Sequence, residues 1–179
     1  MTKEWIGLDV SQPGGTLVAG WSMTSAIAPD GSAIVFADTL PPESKRPLWI
    51  KEQGSANAVP LLGSEGGTQP FFSPDGKWVG FATSSGLYKV ARGGGAPLLV
   101  SDSGAGFAGG TPSAAAWLDD GSIVFMHRNR QTLMRVGPDG SLRSAVDLPP
   151  PGIVFQLVPL PGSRQQWLRR VRLMIITAR

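Results

Sequence analysis

Residue types on which common functional sites depend are scarce in this sequence. The 179 residues include no cysteine and a single histidine, His127. The lack of cysteine excludes disulfide scaffolds, thiolate metal sites and a cysteine nucleophile, and one histidine excludes a metal centre with several His ligands. No apolar run reaches the roughly 18 residues that a membrane-spanning helix needs. We therefore expect no thiol chemistry, no bound metal or other cofactor and no membrane span.

Charged residues are also sparse, at 16% of the chain, and the two signs are unevenly distributed. Residues 1–127 hold seven Lys or Arg and eleven Asp or Glu, whereas residues 128–179 hold nine Arg and two Asp. A basic segment of this kind raises the question of nucleic-acid binding, but no aromatic stacking platform or binding motif accompanies it. We therefore interpret its arginines as solvated side chains and expect no nucleic-acid partner: Arg164, Arg169, Arg170, Arg172 and Arg179.

The N-terminal segment from Met1 to Gly20 contains Lys3, Glu4 and Asp9 and has no unbroken apolar core. It is therefore a poor match to a secretory signal peptide. This favours a cytoplasmic location and leaves a periplasmic one open.

Glycine and proline, by contrast, are abundant, with 24 and 16 residues respectively. Together they make about 22% of the chain, well above the roughly 12% of an average protein. The apolar fraction of 41% is too high, and the charged fraction too low, for a disordered chain. The composition predicts a folded chain with many tight turns.

Those turns recur at a fixed interval. Three four-residue segments share a terminal glycine, and the three glycines are spaced 45 residues apart: Ala28-Pro29-Asp30-Gly31, Ser73-Pro74-Asp75-Gly76 and Leu118-Asp119-Asp120-Gly121. Proline at the second position restricts φ to the value that the turn requires, the aspartate carboxylate accepts backbone N–H groups, and glycine adopts the positive φ that closes the turn. In the third copy Asp119 replaces proline and makes the turn less rigid, while the glycine is kept.

Each turn lies between segments of strand length. A short apolar segment precedes it, and three further apolar segments follow, separated by breaks and by a second turn such as Gly93-Gly94-Gly95 or Pro138-Asp139-Gly140. No stretch of helical length has a 3.6-residue period. Four antiparallel strands in about 45 residues is the blade period of a β-propeller. We predict an all-β fold, a partial β-propeller forming a single domain over 1–179. It has about three complete four-stranded blades and a partial fourth: residues 22–63, 68–102, 111–148 and 153–179.

In the partial fourth blade, Leu160-Pro161-Gly162-Ser163 is the predicted first turn and Val171 to Thr177 the predicted second strand. Stacked blades bury each other's faces, so we expect the aromatic side chains to fill the spaces between blades. The side chains concerned are Phe36, Trp49, Phe71, Phe72, Trp78, Phe81, Trp117 and Phe125.

The run from Phe71 to Phe81, with Ser73-Pro74-Asp75-Gly76 at its centre, resembles the WD-like repeat of TolB-type β-propellers. With the continuation Gly86 to Pro97, it is most similar to the propeller region that follows the kinase domain in many bacterial serine/threonine kinases of eukaryotic type. The resemblance covers about residues 20–148. The same repeat occurs in the propellers of prolyl-oligopeptidase-type peptidases. The resemblance therefore implies architecture far more specifically than function.

Two features depart from that family. The chain has no kinase glycine-rich loop, His-Arg-Asp loop or Asp-Phe-Gly motif, so the resemblance assigns kinase activity to no residue here. Propellers of this family also usually have about six or more blades, whereas this chain has about three complete blades and a partial fourth. One interpretation is a truncated, degenerate or frameshifted form of a longer gene. Another is an arc whose ends are closed or capped by Trp5 to Trp21, because an arc left open should self-associate or be unstable.

Three patterns suggest chemistry, but their contexts argue against it. Gly104-x-Gly106-x-x-Gly109 matches a dinucleotide-binding motif, but Pro112 interrupts any following helix, so we interpret it as a flexible connection between blades. His127 has no orienting acid or nucleophile at a suggestive spacing. Asp119 and Asp120 offer oxygen ligands for calcium, but no further ligands are indicated. We predict no catalytic, cofactor-binding or metal-binding residue.

The sequence therefore favours a non-enzymatic binding or scaffold module with a protein partner. The connections Ser101 to Thr111 and Thr39 to Pro47 are the predicted contact surfaces, because loops vary freely over a rigid support. The alternative is part of the propeller of a larger bacterial enzyme, of the kinase or prolyl-oligopeptidase type, with its catalytic domain elsewhere.

Overall fold

A computed structural model describes residues 25–37, 46–102, 115–127, 132–147, 154–159 and 171–175. These residues form fourteen β-strands and no helix. The first four strands make blade 1: β1 (Ser25–Ile27), β2 (Ala33–Ala37), β3 (Leu48–Glu52) and β4 (Val59–Pro60). Blade 2 consists of β5 (Thr68–Phe72), β6 (Trp78–Ala82), β7 (Leu87–Ala91) and β8 (Leu98–Ser101). Blade 3 consists of β9 (Ala115–Trp117), β10 (Ile123–Met126), β11 (Thr132–Val136) and β12 (Leu142–Asp147).

Within each blade the strands follow one another in sequence order and pair antiparallel. The first strands of successive blades are also neighbours, since β1 contacts β5 and β5 contacts β9. The blades therefore succeed one another with their first strands on the inside. The all-β prediction of four-stranded antiparallel units is confirmed.

A fourth, two-stranded sheet follows blade 3. Strand β13 (Val154–Pro159) pairs antiparallel with β14 (Val171–Ile175), and β13 contacts β9 as β9 contacts β5. The predicted strand beginning at Val171 is thus present, and the structure describes it from Val171 to Ile175. The predicted turn at residues 160–163 lies outside the described residues, as does the segment from Trp5 to Trp21.

The three predicted turns have the expected geometry. Glycines Gly31, Gly76 and Gly121 have φ between 67° and 81°, a region that other residues adopt only under strain. Each glycine N–H donates to the carbonyl three residues earlier, at 2.8–2.9 Å. The turn before β12 is of the same kind, with Gly140 at φ 79°.

Apolar side chains fill the two spaces between the complete blades. Between blades 1 and 2, Val35 and Ile50 of blade 1 pack with Phe72, Val79 and Phe81 of blade 2. Because each blade buries one face against the next, the junctions supply most of the apolar burial.

The second junction adds an electrostatic contact to its apolar core. Phe71 and Leu87 of blade 2 pack there with Trp117 and Phe125 of blade 3. The Lys89 ammonium lies 5.5 Å from the ring centre of Trp78 and 5.7 Å from that of Trp117. A cation–π contact to each ring thus links the two blades.

Blade 3 departs from the repeat by one residue. Counted from the turn glycine of each blade, Ile123 is at the position equivalent to Ala33 and Trp78. In the structure, however, Ile123 pairs with Trp117, as Ile34 pairs with Ile27 and Val79 with Phe72. Its turn closes one residue earlier, since Leu118 N–H donates to Ser122 where Ser73 N–H donates to Trp78. A one-residue shift would turn every side chain to the opposite face, so blade 3 keeps Ile123 and Phe125 buried by this shorter turn.

The aromatic prediction holds with two exceptions. Phe71, Phe72, Phe81, Trp117 and Phe125 lie in the two junction cores, and Trp78 packs against the second. Phe36 is buried and Trp49 half-buried, but they belong to neither core. Both lie on the opposite face of β2 and β3, where their Cα atoms are paired.

Candidate functional site

The antiparallel strand order gives every blade two distinct ends. The turn end carries the tight turns that join the first strand to the second and the third to the fourth, such as those at Gly31, Gly76 and Gly121. The loop end carries the loops between second and third strands and the connections from one blade to the next. The described ends of the two predicted contact segments, residues 46–47 and 101–102, lie at the loop end.

At the turn end, one aspartate in each of four tight turns accepts hydrogen bonds within its own turn: Asp30, Asp75, Asp120 and Asp139. Asp30 accepts a hydrogen bond from the Ser32 hydroxyl at 2.5 Å and another from the Ser32 N–H at 2.9 Å. Asp139 likewise accepts from the Ser141 hydroxyl at 2.7 Å and from the Ser141 N–H at 3.2 Å. Asp75 accepts from the Ser73 hydroxyl at 2.6 Å. These serine hydroxyls, followed by a backbone N–H, hold the pKa of Asp30, Asp75 and Asp139 below its usual value. The turn end is therefore a set of satisfied structural carboxylates.

An arginine also ties two blades together at this end. The Arg92 Nε, in the turn after β7, donates to Glu52 at 2.8 Å, and its Nη2 donates to the same carboxylate and to the Ser32 hydroxyl at 2.9 Å. The hydrogen bond that Arg92 donates to Glu52 raises the pKa of Arg92. In blade 3, Arg135 instead bonds the turn of its own blade, through Asp120 and Ser122. Arg92 thus has a structural role between blades 1 and 2, which its place in the sequence did not indicate.

At the loop end, the connection from blade 1 to blade 2 is anchored internally. The buried Ser64 hydroxyl accepts from the Leu48 N–H at 2.8 Å and donates to the Leu61 carbonyl at 2.5 Å. In the next loop, the hydroxyls of Thr83, Ser85 and Tyr88 form a short chain, with separations of 2.9 and 3.2 Å. This end offers hydroxyl groups on a fixed backbone.

Gln69 is the exceptional residue of the loop end. It is the second residue of β5, the innermost strand of blade 2, directly after the anchored connection. Its φ is 49°, which makes it the one described residue other than glycine with a positive φ, and the β5–β6 register shifts at this point. Its side chain is 7% exposed, and the amide Oε1 is buried without a hydrogen-bond partner. Sequence reasoning missed Gln69, because nothing in the residue pattern marks it.

The sequence-derived candidates have structural roles or lie outside the described residues. Asp120 accepts hydrogen bonds from Ser122 and pairs with Arg135 at 2.6 Å, while Asp119 is exposed beside it. The His127 N–H donates to the Thr132 carbonyl, continuing the pairing of β10 with β11. Over the described part of the chain, no three His, Asp or Glu side chains lie close enough together to hold a metal.

Several candidates fall outside the described residues. The Gly104-to-Gly109 motif does, and so do most of the two contact segments and four of the five candidate arginines. Arg172 lies on β14. Within the described ranges there is also no helix with the length and apolar character needed to cross a membrane.

Comparison with known proteins identifies the fold without identifying a family. No family model and no curated protein sequence matches the chain. Among solved structures, regucalcin of Agrobacterium tumefaciens C58, described as a calcium-binding protein, is 18% identical. The match covers 74% of this chain and 47% of that one with a TM-score of 0.53. A TolB protein of Agrobacterium tumefaciens is 20% identical over 68% of this chain and 48% of its own, with a TM-score of 0.48.

At such identities the likeness concerns the fold, and the partial β-propeller prediction is confirmed. The chain spans about half the length of these solved structures.

Proposed function

We propose that this chain is a non-enzymatic binding module that holds a protein partner against its loop end, next to Gln69. One observation carries the proposal: a strained backbone and an unpaired buried acceptor coincide at this residue. The fold supports this proposal, because blades packed against one another form a rigid base for variable loops.

Gln69 lowers the stability of the fold in two ways. A left-handed backbone at a residue other than glycine costs on the order of 1–3 kcal/mol. A buried acceptor without a donor costs about 1–3 kcal/mol more. Such losses persist where they serve binding: the buried oxygen becomes accessible when the strained segment at Gln69 shifts, and a partner that then supplies the missing donor gains affinity from it. Backbone N–H groups and hydroxyls of a peptide are donors of the required kind.

Replacing Gln69 by glycine separates binding from stability. Glycine adopts this left-handed backbone without strain and removes the unpaired oxygen, so we expect Gln69→Gly to stabilise the fold by about 1 kcal/mol, or a few degrees in Tm. The probe is a displayed library of random peptides, selected on the purified chain. Selected peptides should bind Gln69→Gly about tenfold or more weakly, measured by fluorescence anisotropy.

The same substitution at the opposite end provides the control. Gln53 is exposed at the turn end of blade 1, so Gln53→Gly should leave peptide binding unchanged. The proposal fails if selection yields no peptide, or if the selected peptides bind both variants equally well.

The second candidate function is part of the propeller of a larger bacterial enzyme, in which the blades recruit or admit substrate and a separate domain does the chemistry. Its support is the coverage of only 47% of a solved propeller chain, together with the likeness of the turn motifs to propellers attached to kinases. Sequencing the DNA on both sides of the reading frame tests it. This candidate requires kinase motifs or a Gly-x-Ser-x-Gly motif there, and their absence would dismiss it.

A further inference from the structure

Exposed apolar side chains are concentrated on the outside of blades 1 and 2. Among the described residues six large apolar side chains are exposed, and four of them lie on or directly after β4 and β8, the outermost strands of these blades: Val59, Leu62, Leu98 and Leu99. The two segments meet, since the Gly95 N–H donates to the Leu62 carbonyl at 3.0 Å. The four side chains therefore belong to one stretch of surface, here called the rim patch, of the kind that marks interaction sites.

The segments that carry the rim patch are uncharged. Residues 53–64 and 93–101 contain no charged residue, whereas the outer strand of blade 3 carries Arg143 and Asp147. Charges, prolines and short length normally keep an outer strand from pairing with a further strand. Strand β4 has two residues and includes Pro60, so it is protected in this way. Strand β8 has four residues with neither charge nor proline, and is the unprotected edge.

Strand β8 also has an apolar side chain on each of its faces. Leu98 pairs with Lys89 and Leu99 with Tyr88, and because neighbouring residues of a strand point to opposite faces, so do the two leucines. They are 46% and 55% exposed. Strand β8 is the last strand of its sheet, and within the described ranges no strand pairs with its outer edge. Backbone groups along an edge, with an apolar side chain on either side, are what an added strand recognises.

The neighbouring blades lie close to both ends of β8. At its beginning, a Cβ on Gly63, in the connection after blade 1, would lie 3.2 Å from the Pro97 side chain. At its other end, a Cβ on Gly140, in the turn before β12, would lie 2.7 Å from the Val100 carbonyl oxygen. The open edge therefore lies between blades 1 and 3. A single extended segment fits such a position better than a second copy of this chain, which would bring the same flanking blades with it.

We propose that the outer edge of β8 binds an extended, uncharged, apolar segment of a protein partner, which adds a fifth strand to blade 2. The segment pairs through its backbone and covers Leu98 and Leu99 with its own side chains. A lipid surface fits less well, because acyl chains offer the backbone edge no hydrogen bonds and the rim patch has no basic residue for a headgroup. The site is separate from that proposed at Gln69, which lies on the innermost strand of the blade.

A panel of synthetic eight-residue peptides with blocked ends tests the proposal. Each has two adjacent central residues chosen from valine, isoleucine and leucine, flanked by threonine and serine, and fluorescence anisotropy follows its binding to the full chain. Replacing the central pair by glutamate should weaken binding at least tenfold. Methylating the two central N–H groups one at a time should weaken binding at least tenfold for one and little for the other, because successive N–H groups of a strand point to opposite edges.

Leu99→Asp places a charge beside the edge at a position that is already exposed, so it should weaken binding of these peptides at least tenfold. Far-UV circular dichroism should show the same β spectrum for the variant as for the parent protein. The matched control is Leu142→Asp, because Leu142 is 58% exposed on the outer strand of blade 3. This control should bind the peptides as the parent protein does.

The proposal is overturned if no peptide of the panel binds, if Leu99→Asp leaves binding unchanged, or if methylation of either N–H is tolerated. Two further measurements address the other occupants. A dimer in sedimentation velocity that Leu99→Asp dissociates would make the occupant a second copy of this chain. Flotation with phosphatidylcholine vesicles that Leu99→Asp abolishes would make it a lipid surface. Either result would overturn the assignment to a peptide segment.

Discussion

Replacing Gly63 by alanine should lower the free energy of unfolding by about 3 kcal/mol or more. Gly63 lies in the connection between blades 1 and 2 with φ 85°, and a Cβ there would lie 1.9 Å from the Gly95 carbonyl oxygen. The Leu62 carbonyl accepts the Gly95 N–H at 3.0 Å, so backbone meets backbone and neither side can rotate away. Urea denaturation followed by intrinsic tryptophan fluorescence measures the change.

Gly54 is the matched control for that substitution. Its φ is 83°, almost the same as that of Gly63, but a Cβ there meets nothing within 4 Å. Gly54→Ala therefore carries only the cost of the left-handed backbone, about 1–2 kcal/mol. The difference between the losses of unfolding free energy in the two variants isolates the effect of the close approach of the two blades. Equal losses would mean that this approach contributes nothing to stability.

Replacing Phe81 by alanine should have the second large effect, about 3–5 kcal/mol. Phe81 is fully buried between blades 1 and 2, and its ring stacks on that of Tyr88 with centroids 6.1 Å apart. Truncation leaves a cavity against blade 1, so amide hydrogen exchange should speed up in β2 and β3 as well as in blade 2.

Leu142→Ala is the control, because Leu142 is an apolar residue on a strand but is 58% exposed. Its effect should stay within about 0.5 kcal/mol. If Phe81→Ala left exchange in blade 1 unchanged, the blades would not depend on one another as the junction core implies.

Local sequence patterns were sufficient to predict much of this architecture. The apolar segments that directly follow the three turns in the sequence coincide with strands β2, β6 and β10: Ala33 to Ala37, Trp78 to Ala82 and Ile123 to Met126. They could be located because turn chemistry and strand composition act over a few residues. The fourth strands are less regular, and β4 has two residues, Val59–Pro60. Outer strands have one neighbour and few buried side chains, so the sequence constrains them weakly.

Features that depend on contacts between repeats could not be predicted. The shorter turn of blade 3 is invisible in the spacing of the glycines, because the missing residue follows Gly121. Arg92 resembles any surface arginine until blade 1 places Glu52 and Ser32 beside it. Gln69 carries no signal because both its strain and its unpaired oxygen arise from the packing around β5. The site proposed here therefore rests on the structure alone.

The central claim is that successive blades are arranged around a common axis. Pro29, Pro74 and Asp119 occupy equivalent exposed positions in the three turns, and the absence of native cysteine allows pairs of spin labels to be placed there. Pulsed electron–electron double resonance should give equal distances for the label pairs 29–74 and 74–119. The distance for the pair 29–119 should be longer than either of these but clearly shorter than their sum. A 29–119 distance equal to that sum would indicate a straight stack, and unequal neighbouring distances would mean that the turns are not equivalent; either result would contradict the account.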